Sequence, residues 1–498
     1  MFSFLLTIVI FTATTAVVHF FWSNRRLLAV ASRIPGPVTF APLIGGLFQF
    51  CGKSDSEIAS TLLQFADRYT SPIRFWFGPL LMVMVDRPED LKIVLNSDRC
   101  LDKVDPYQFF HVDRGLFAST AKLWKSHRKV LMPSFGPKAI DGFLPIFTEK
   151  CRLLSGEMEQ FLDIGTVDVH YLVEKYTLNV ICATTFEFNV NLKDEVWTNS
   201  YLHSIDRLTA LFNQRIFNPL KHPNLLYRLT SDYQEESLEF NVFKQLPLQI
   251  CKDLKRRHSQ QQPSNGRSSK FIDRVFQLVD PPGTSSLEDH ITTMIFAGSE
   301  TSASTIAFIL LMLAIHQDVQ DRVYREICSV YVNPYDHTYL DQSSLARLTY
   351  MERVIKETMR LFPVAPLVGR KVAADIQLET VTIPAGANII IPIYKLHRDR
   401  TLWGPNAETF DPDNFLPEKI AQRHPYCHIP FMAGVRNCVG IRYSWQLMKV
   451  MLVHLLFNYR YGTSLKMDEL ELKLRLVLKI DNGRVLTIER RADRSMSR

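Results

Sequence analysis

The sequence lacks closely spaced cysteine pairs. Its eight cysteines are spread over 498 residues, and no two of them form a C-x-x-C pair. This spacing argues against a disulfide scaffold or a structural zinc site, and it fits a reducing compartment. Most of the cysteines are therefore expected to be buried packing residues. They are Cys51, Cys100, Cys151, Cys182, Cys251, Cys328, Cys427 and Cys438.

A strong charge of one sign is also missing. The formal net charge is only +7, whereas nucleic-acid-binding proteins usually show a concentrated basic face or a recognisable module. No nucleic-acid partner is therefore expected, and the small excess suits an acidic protein partner or an anionic membrane surface. The sequence contains no internal repeat and no convincing dinucleotide or flavin fingerprint such as G-x-G-x-x-G after a strand.

The first 23 residues contain no Asp, Glu, Lys or Arg. A helix of this length rises on the order of 30 Å, enough to cross the hydrocarbon core of a bilayer. Arg25, Arg26 and Arg33 follow, so the positive-inside bias places the downstream chain in the cytosol. A cleaved signal peptide is the alternative, but the long apolar run and the missing positive n-region favour an uncleaved anchor. Residues 1–23 are therefore predicted to be a transmembrane anchor.

A basic, proline-rich hinge is predicted at residues 24–50, because proline fixes φ and stops helices. Residues 51–498 are predicted to form one large domain that is mainly α with a small β portion. Its long apolar helix, Leu287 to Ala314, is expected to cross the middle of the domain. The hinge contains Ile34-Pro35-Gly36-Pro37, Pro42 and Gly45-Gly46.

Three shorter features are predicted within the large domain. A β region is expected from Ile376 to Ile393, where a β-branched run follows a Pro/Gly turn. A hairpin is expected between Leu472 and Leu486, with its turn at Asp481-Asn482-Gly483. The polar stretch from Ser259 to Ser269 is predicted to be a flexible loop.

One cysteine lies in an unusual segment, Phe431-Met432-Ala433-Gly434-Val435-Arg436-Asn437-Cys438-Val439-Gly440. A helix is predicted from Ile441 to Tyr459, which places Cys438 just before a helix N-terminus, where unpaired amides and the helix dipole stabilise a thiolate. Gly434 and Gly440 lack side chains, so the backbone can approach a flat ligand closely. A lone cysteine is more often a small buried hydrophobe, and only this surrounding pattern distinguishes Cys438.

The residues Phe431, Gly434, Arg436, Cys438 and Gly440 match every specified position of F-x-x-G-x-R-x-C-x-G, the signature of the cytochrome P450 superfamily, which the chain resembles. The resemblance implies the cytochrome P450 fold and haem b (iron protoporphyrin IX) as cofactor. It also implies Cys438 as the thiolate ligand to the haem iron, where electron donation from sulfur favours O–O cleavage.

A second motif lies in the middle of the long helix, where Ala297-Gly298-Ser299-Glu300-Thr301-Ser302 resembles the family's (A/G)-G-x-(D/E)-T-(T/S). Glycine costs about 1 kcal/mol in a helix interior, so Gly298 needs a reason. Close approach of haem and dioxygen is one, and a helix-packing notch is the alternative. Glu300 and Thr301 are expected beside this gap as a proton relay.

Ala297 marks a departure from the animal family-four clan of microsomal enzymes, which the chain resembles most, with an insect origin among the candidates. Many members of that clan carry a glutamate at this position, and it becomes esterified to haem. Ala297 therefore predicts non-covalent haem, and the clan's habit of ω-hydroxylating fatty acids carries over poorly.

Two further motifs resemble those of the family. Trp124-Lys125-Ser126-His127-Arg128 matches W-x-x-x-R, and Trp124 and Arg128, with Arg370 and Arg436, are implied to bind the haem propionates. A surface tryptophan beside a solvated arginine is the alternative.

Glu357-Thr358-Met359-Arg360 resembles the family's E-x-x-R, whose spacing puts both charged side chains on one helical face. The implied role of Glu357 and Arg360 is structural. The arginine often found in a later segment of the family is Asn414 here, so this third member is expected to be weaker or differently bonded.

The resemblance implies a monooxygenase that inserts one oxygen atom of O2 into a small apolar substrate: a lipid, a hormone or a xenobiotic. Its partners would be an NADPH-dependent flavoprotein reductase, with cytochrome b5 as a second donor, and its location the endoplasmic reticulum membrane, facing the cytosol. A basic docking face and a solvated helix face are equally good interpretations of Lys122, Lys125, Lys129 and Arg442.

The substrate pocket is expected to involve Val364 to Val368, Phe296, Ala297 and Phe109-Phe110. Two other functions stay open. A haem-thiolate isomerase or dehydratase would use the same cysteine without a reductase. A catalytically silent membrane-bound haem or lipid carrier is of a different class.

Overall fold

The structure of the chain is a computed structural model that describes residues 2–37, 47–50, 52–112, 114–260, 271–278, 287–331 and 340–491. Pro42 and Gly45-Gly46 of the predicted hinge lie outside the described residues. So does the predicted loop from residue 261 onward, whereas residues 259 and 260 end a helix.

Helices dominate the described ranges, as predicted. The α-helices are α1 (Phe2–Ser23), α2 (Arg25–Ala31), α3 (Leu47–Phe50), α4 (Asp55–Arg68), α5 (Pro88–Asn96), α6 (Ala121–Leu131), α7 (Pro137–Met158), α8 (Val169–Phe186), α9 (Glu195–Ile216), α10 (Asn224–Tyr227), α11 (Ser231–Gln260), α12 (Phe271–Phe276), α13 (Leu287–Ile315), α14 (Gln317–Val330), α15 (Gln342–Arg347), α16 (Thr349–Leu361), α17 (Ile393–Leu396), α18 (Arg400–Trp403), α19 (Pro417–Ala421) and α20 (Ile441–Asn458).

The strands are short and form small sheets. They are β1 (Ile73–Phe77), β2 (Leu80–Met84), β3 (Thr166–Asp168), β4 (Val368–Lys371), β5 (Ile376–Gln377), β6 (Thr382–Ile383), β7 (Asn388–Ile391), β8 (Tyr459–Gly462), β9 (Leu472–Leu474), β10 (Leu478–Ile480) and β11 (Val485–Arg490). A four-stranded sheet has the order β1-β2-β7-β4, in which β2 and β7 are parallel and the other pairs antiparallel. The predicted β region thus contains β5, β6 and β7.

Helix α13 crosses the middle of the domain, as its apolar sequence predicts. It has 29 residues and is therefore about 44 Å long. Most of its side chains are buried, and it packs against α8, α11, α16 and α20. A helix that is apolar on all sides belongs in a protein core or a membrane, and the burial of α13 shows that it belongs to the core.

The predicted turn of the C-terminal hairpin is wrong. Strands β9 and β10 pair antiparallel and turn at residues 475–477, whereas Asp481-Asn482-Gly483 leads from β10 to β11, which pairs with β3 and β8. Gly483 is required for close packing, because a Cβ there would lie 2.7 Å from Ile480 Cδ1 and 2.9 Å from Leu311 Cδ2. Its φ is not positive, unlike that of the glycine in a typical Asn-Gly hairpin turn.

The N-terminal helices contact the domain at one place. Helix α2 packs Leu27, Leu28 and Val30 against the cluster around the four-stranded sheet, and Arg26 forms an ion pair with Asp375. The segment predicted as a hinge therefore contains a helix. By length and hydropathy, α13 is the one helix among the described residues that could span a membrane, and the apolar stretch Ile10–Ser23 of α1 is shorter.

Candidate active site

A cavity of about 270 Å³ lies between α13 and the loop that precedes α20. Residues from distant parts of the chain meet on its wall. Thr301 lines it, and so do all but one of the predicted cofactor-binding residues. Those that line it are Trp124, Arg128, Ala297, Gly298, Arg370, Phe431, Arg436, Cys438 and Gly440, and the exception is Gly434.

Cys438 lies at the end of a tight loop. Its N–H donates to Phe431 O at 3.0 Å, and its Sγ accepts from the Gly440 N–H at 3.3 Å. Gly440 is the N-cap of α20, so the sulfur lies at a helix N-terminus, as predicted. Of the seven cysteines described, the other six are buried and only Cys438 is exposed, on the wall of the cavity.

Opposing effects act on the pKa of the Cys438 thiol. Desolvation inside the cavity raises this pKa, whereas the hydrogen bond from Gly440 at the helix terminus and the charge of Arg128 lower it by less. Coordination to a metal ion deprotonates a thiol outright, so a bound iron would favour the thiolate together with the helix terminus.

Gly434 has a different role from the one the sequence suggested. Its φ is +72°, and a Cβ there would lie 2.0 Å from Leu95 O. The absence of a side chain lets the loop cross α5, where Val435 N–H donates to the same carbonyl at 3.2 Å. Gly434 thus shapes the loop and does not itself line the cavity.

Among the residues that the structure describes, four cationic side chains and no acidic one line the cavity: Lys103, Arg128, Arg370 and Arg436. Burial and then the charge of Arg370 lower the pKa of Arg436 to about 9. Burial, followed by the same two arginines, lowers the pKa of Lys103 well below its ordinary value. Such an arrangement of buried charge favours an anionic ligand.

Part of this cationic set also holds the cysteine loop. Arg128 donates to Asn437 O at 2.7 Å and to Asn437 Oδ1 at 2.5 Å. Arg436 donates to Ser119 O at 2.7 Å and to Leu101 O. Both guanidinium groups lie near the Trp124 ring, 5.5 and 5.1 Å from its centroid. The alternative of a solvated arginine beside a surface tryptophan is therefore wrong.

Across the cavity, α13 presents Ala297 and Thr301. The Thr301 hydroxyl donates to Ala297 O at 2.7 Å, so its lone pairs remain available as acceptors. Gly298 also lines the cavity, but its glycine has a packing reason. A Cβ would lie 2.6 Å from Ile181 Cδ1 on α8, so Gly298 packs closely against α8 as well as lining the cavity.

The structure brings Thr301, but not Glu300, to the cavity. The Glu300 side chain is completely buried outside the cavity and forms an ion pair with Lys479 of β10. Glu174 of α8 lies beside it, and burial followed by the charge of Glu300 raises the pKa of Glu174 well above its ordinary value. Lys479 also lies 3.6 Å from the partly exposed Asp206.

The predicted ion pair of α16 is present and fully buried. Arg360 Nε and Nη2 each donate to a Glu357 carboxylate oxygen at 2.7 Å, and Arg360 Nη1 donates to His397 O at 2.9 Å. Asn414 Nδ2 donates to Glu357 Oε1 at 3.1 Å. Arg423 donates in turn to Asn414 O at 2.5 Å, so the third member is differently bonded, as expected.

Sequence reasoning missed three residues of this region. Lys103 adds a fourth cation to the cavity, and Glu174 and Lys479 surround Glu300. None of the three residues lies in one of the sequence motifs that predicted the site. For Glu174 there is a local signal in the sequence. His170 and Glu174 are four residues apart on the apolar helix α8, and charged residues on such a helix are expected to be buried together with a partner.

Comparison with known proteins decides the family. The sequence model of the family described as Cytochrome P450 matches residues 35–487, which is most of the chain. The chain belongs to the cytochrome P450 family. It is therefore a monooxygenase enzyme whose cofactor is a haem iron with cysteine thiolate ligation.

The similar proteins include several from insects. Probable cytochrome P450 313a4 of Drosophila melanogaster is 30% identical, over 95% of this chain and 97% of its own length. Cytochrome P450 4c21 of Blattella germanica is also 30% identical, over 95% of both chains. Cytochrome P450 4g1 of Drosophila melanogaster is 26% identical over 98% of this chain. The resemblance to the family-four clan and to insect members is thus confirmed.

The residues of the cavity fit a haem. The Cys438 sulfur is exposed on its wall, and the four cations suit a ligand that carries two carboxylates. Apolar side chains form much of the rest of the wall, among them Leu476 and Val477 from the turn between β9 and β10. That turn, placed elsewhere by the sequence prediction, is part of the site.

Proposed function

We propose that Cys438 is the thiolate ligand of haem b and that the enzyme inserts one oxygen atom of O2 into a small apolar substrate. The observation that carries this proposal is the cavity itself. Its wall combines one exposed cysteine at a helix N-terminus, four cations without an acid, and Thr301 on the opposite side. When bound, the haem iron supplies the activation of dioxygen, which side chains alone do not perform.

The chain's own residues would act on the cofactor in two ways besides the bond from Cys438. Arg128, Arg370 and Arg436, with Trp124 and Lys103, would bind the propionates by charge and hydrogen bonds. The Gly440 N–H would donate to the sulfur and temper its electron donation.

The bond between protein and haem would be limited to the thiolate. Ala297 lies on the wall of the cavity and carries no carboxyl group that could form an ester. We therefore propose that the haem is non-covalent apart from the bond between the Cys438 sulfur and iron.

Thr301 would move protons at its Oγ1. Its hydroxyl donates to Ala297 O, so it must release that bond to donate into the cavity. Glu300 would serve as the proton donor behind it only after its carboxylate has received a proton, and Lys479, which pairs with it, also lies 3.6 Å from the partly exposed Asp206. The Glu300 side chain does not line the cavity. To deliver a proton to Thr301, Glu300 would have to leave its ion pair with Lys479 and turn toward the cavity, or other groups would have to carry the proton between them.

The exposed apolar surface of α1 supports the proposal of a membrane anchor. Phe11 and Trp22 are each 70% exposed, and such a surface is unfavourable in water. We propose that residues 1–23 cross the endoplasmic reticulum membrane, that residues 24–50 connect them to the domain, and that residues 51–498 form a catalytic domain facing the cytosol. The contacts of α2 would hold this domain close to the bilayer.

Electrons would come from NADPH through a membrane-bound flavoprotein reductase, with cytochrome b5 as a second donor. Lys122, Lys129 and Arg442 are exposed and lie on α6 and at the start of α20, the elements that hold the cysteine loop. Lys125 is exposed as well but pairs with Asp98 at 3.0 Å. An acidic partner docked on this surface would lie near the sulfur side of the haem.

A carbon monoxide difference spectrum tests the proposed function. The dithionite-reduced, full-length protein should show a strongly red-shifted Soret band, because a thiolate donates more electron density than a neutral ligand. Acid denaturation followed by chromatography should release all of the haem. Product formation should require both NADPH and the reductase.

Each result has an opposite that decides against the proposal. A Soret band at the position of a histidine-ligated haem would remove Cys438 as ligand. Turnover without NADPH and reductase would favour the isomerase or dehydratase. Haem that stays with the denatured chain would contradict the non-covalent attachment.

Substituting Thr301 by alanine should divert electrons into hydrogen peroxide. Proton transfer by a positioned side chain is worth about 10²–10⁴-fold, so product formed per NADPH should fall by about tenfold or more. Haem content should hardly change, since Thr301 bonds within its own helix. The measurement compares NADPH consumed, product formed and peroxide released.

Thr148→Ala is the matched control. Thr148 is buried on α7, donates to Leu144 O at 2.9 Å in the same way, and does not line the cavity. Its substitution should leave the product yield per NADPH unchanged. Unchanged coupling in Thr301→Ala would remove Thr301 from the relay.

A further inference from the structure

A second cavity, of about 60 Å³, adjoins the one above Cys438. The two share Phe117, Thr293 and Phe296 in their walls, so these side chains stand between them and an elongated molecule would have to pass beside them. Much of the second wall is aromatic, with Phe110 lying 5.4 Å from Phe117 and 5.8 Å from Phe296 between ring centroids.

Two charged side chains, the buried Arg215 and the partly buried Glu236, face this second cavity. Arg215 is only 2% exposed. Its Nε donates to Lys221 O at 3.2 Å, its Nη2 donates to Asn224 Oδ1 at 2.6 Å, and its Nη1 lies 4.0 Å from Glu236 Oε2. Two of the guanidinium nitrogens are therefore hydrogen-bonded within the protein, and the third is within ion-pair distance of Glu236.

Two aromatic rings also lie against the Arg215 guanidinium. Its Cζ is 4.1 Å from the centroid of Phe109 and 3.8 Å from that of Tyr227. Aromatic rings at this distance favour a cation and occupy the space through which an anion would approach. Arg215 is thus enclosed on several sides by its own protein.

The carboxylate of Glu236 is equally engaged. Its Oε1 lies 2.9 Å from His111 Nε2, and its Oε2 accepts from the Tyr227 hydroxyl. Burial opposes ionisation, but the hydrogen bonds from His111 and Tyr227 outweigh it and lower the pKa of Glu236. The ionised carboxylate therefore neutralises Arg215, and this end of the cavity carries no net charge from the pair.

We propose that Glu236 is a specificity-determining residue that selects neutral, elongated, apolar substrates against carboxylates. This inference rests on the proposed function, because one end of the substrate must lie above Cys438. A carboxylate in the second cavity would be desolvated among aromatic rings, beside an arginine that is already paired and next to a second carboxylate. A hydrocarbon, alcohol or ester end would avoid this cost.

The test measures ligand affinity in the haem-loaded, full-length protein. Three probes share one twelve-carbon chain: 1-dodecanol, methyl dodecanoate and ionised dodecanoate. Affinities come from the spin-state change and from calorimetry. In the wild type, the alcohol and the ester should bind at least about tenfold more tightly than the carboxylate, a difference of about 1.4 kcal/mol.

Substituting Glu236 by glutamine should reverse this preference in part. It removes the carboxylate but not Arg215, so the affinity for dodecanoate should rise by about tenfold or more. The affinity for 1-dodecanol should change by less than about threefold. In the double variant Arg215→Met, Glu236→Gln, the gain for dodecanoate should disappear.

Glu235→Gln is the matched control on the same helix. Glu235 pairs with Arg207 at a half-exposed position outside the second cavity, so none of the three affinities should change. Equal binding of dodecanoate and dodecanol by the wild type would overturn the inference, as would a folded Glu236→Gln variant without gain for dodecanoate. If that variant does not fold, the wild-type comparison still decides. Failure of the proposed function would appear separately, as a carbon monoxide spectrum without the red-shifted band.

Discussion

Substituting Cys438 by serine should abolish the red-shifted Soret band of the reduced, carbon monoxide-bound protein. Serine has nearly the same shape, so the loop from Phe431 to Gly440 should keep its fold. Its hydroxyl remains protonated at neutral pH and cannot donate electron density as a thiolate does. Monooxygenase activity should fall to background, and the measurement is the difference spectrum normalised to the haem content of each preparation.

Cys427→Ser is the control for this substitution. Cys427 lies in the same part of the chain and is buried, but it does not line the cavity. Its substitution should leave the position of the Soret band unchanged. A red-shifted band that persists in folded, haem-loaded Cys438→Ser would show that another residue ligates the iron.

The parts of this site that depend on local spacing could be predicted from the sequence. Cys438 lies two residues before the N-cap of a helix, and Glu357 and Arg360 are three apart on one helix. The chain direction and the helical repeat place such groups relative to each other whatever the rest of the fold does. For the same reason α13 could be located from its apolar run.

The parts that depend on tertiary packing could not be predicted. Consecutive residues of a helix point about 100° apart, and some neighbours on α13, such as Ala297 and Gly298, both line the cavity. Spacing alone therefore does not say that Thr301 lines it while Glu300 pairs with Lys479 of β10. Nothing in the sequence near α13 indicates that a lysine from a C-terminal strand would pack there.

The glycines illustrate a second limit. A signature specifies that Gly298 and Gly434 lack side chains but does not say what lies next to them. The structure shows Ile181 of α8 beside the first and Leu95 O beside the second. Both are protein neighbours, whereas the sequence suggested a flat ligand beside Gly434 and left a flat ligand and a helix-packing notch open for Gly298. Motif spacing identifies the residue, and only the packing identifies its reason.

Asn414 shows how a departure from a family pattern can be compensated. Asn414 donates to the Glu357 carboxylate at 3.1 Å, and Arg423 donates to the Asn414 carbonyl. Arg423 also lies 4.5 Å from the Trp403 ring. Arg423, nine residues after Asn414, thus bonds to Asn414, which bonds to Glu357. In the family pattern an arginine at position 414 would bond in this network itself.

Substituting Glu357 by glutamine should prevent the accumulation of folded, haem-loaded protein. Glu357 and Arg360 are both fully buried, and the variant leaves the Arg360 charge without a counter-ion. Breaking such a pair from one side costs about 3–5 kcal/mol, a large part of the stability of a typical domain. The glutamine amide would also direct a donor at the guanidinium donors. The measurements are the yield of soluble holoprotein and its thermal unfolding temperature.

Asp413→Asn is the control for this substitution. It also removes a negative charge from this region, but from an ion pair that is partly exposed. Asp413 pairs with Arg353 of α16 at 2.6 Å, but its side chain is 42% exposed. Because water screens such a pair, its loss should cost at most about 1 kcal/mol and leave the holoprotein yield near that of the wild type. If Glu357→Gln were as stable as Asp413→Asn, the buried pair would not hold the core behind the cysteine loop. Its retention in the sequence would then need a reason other than stability.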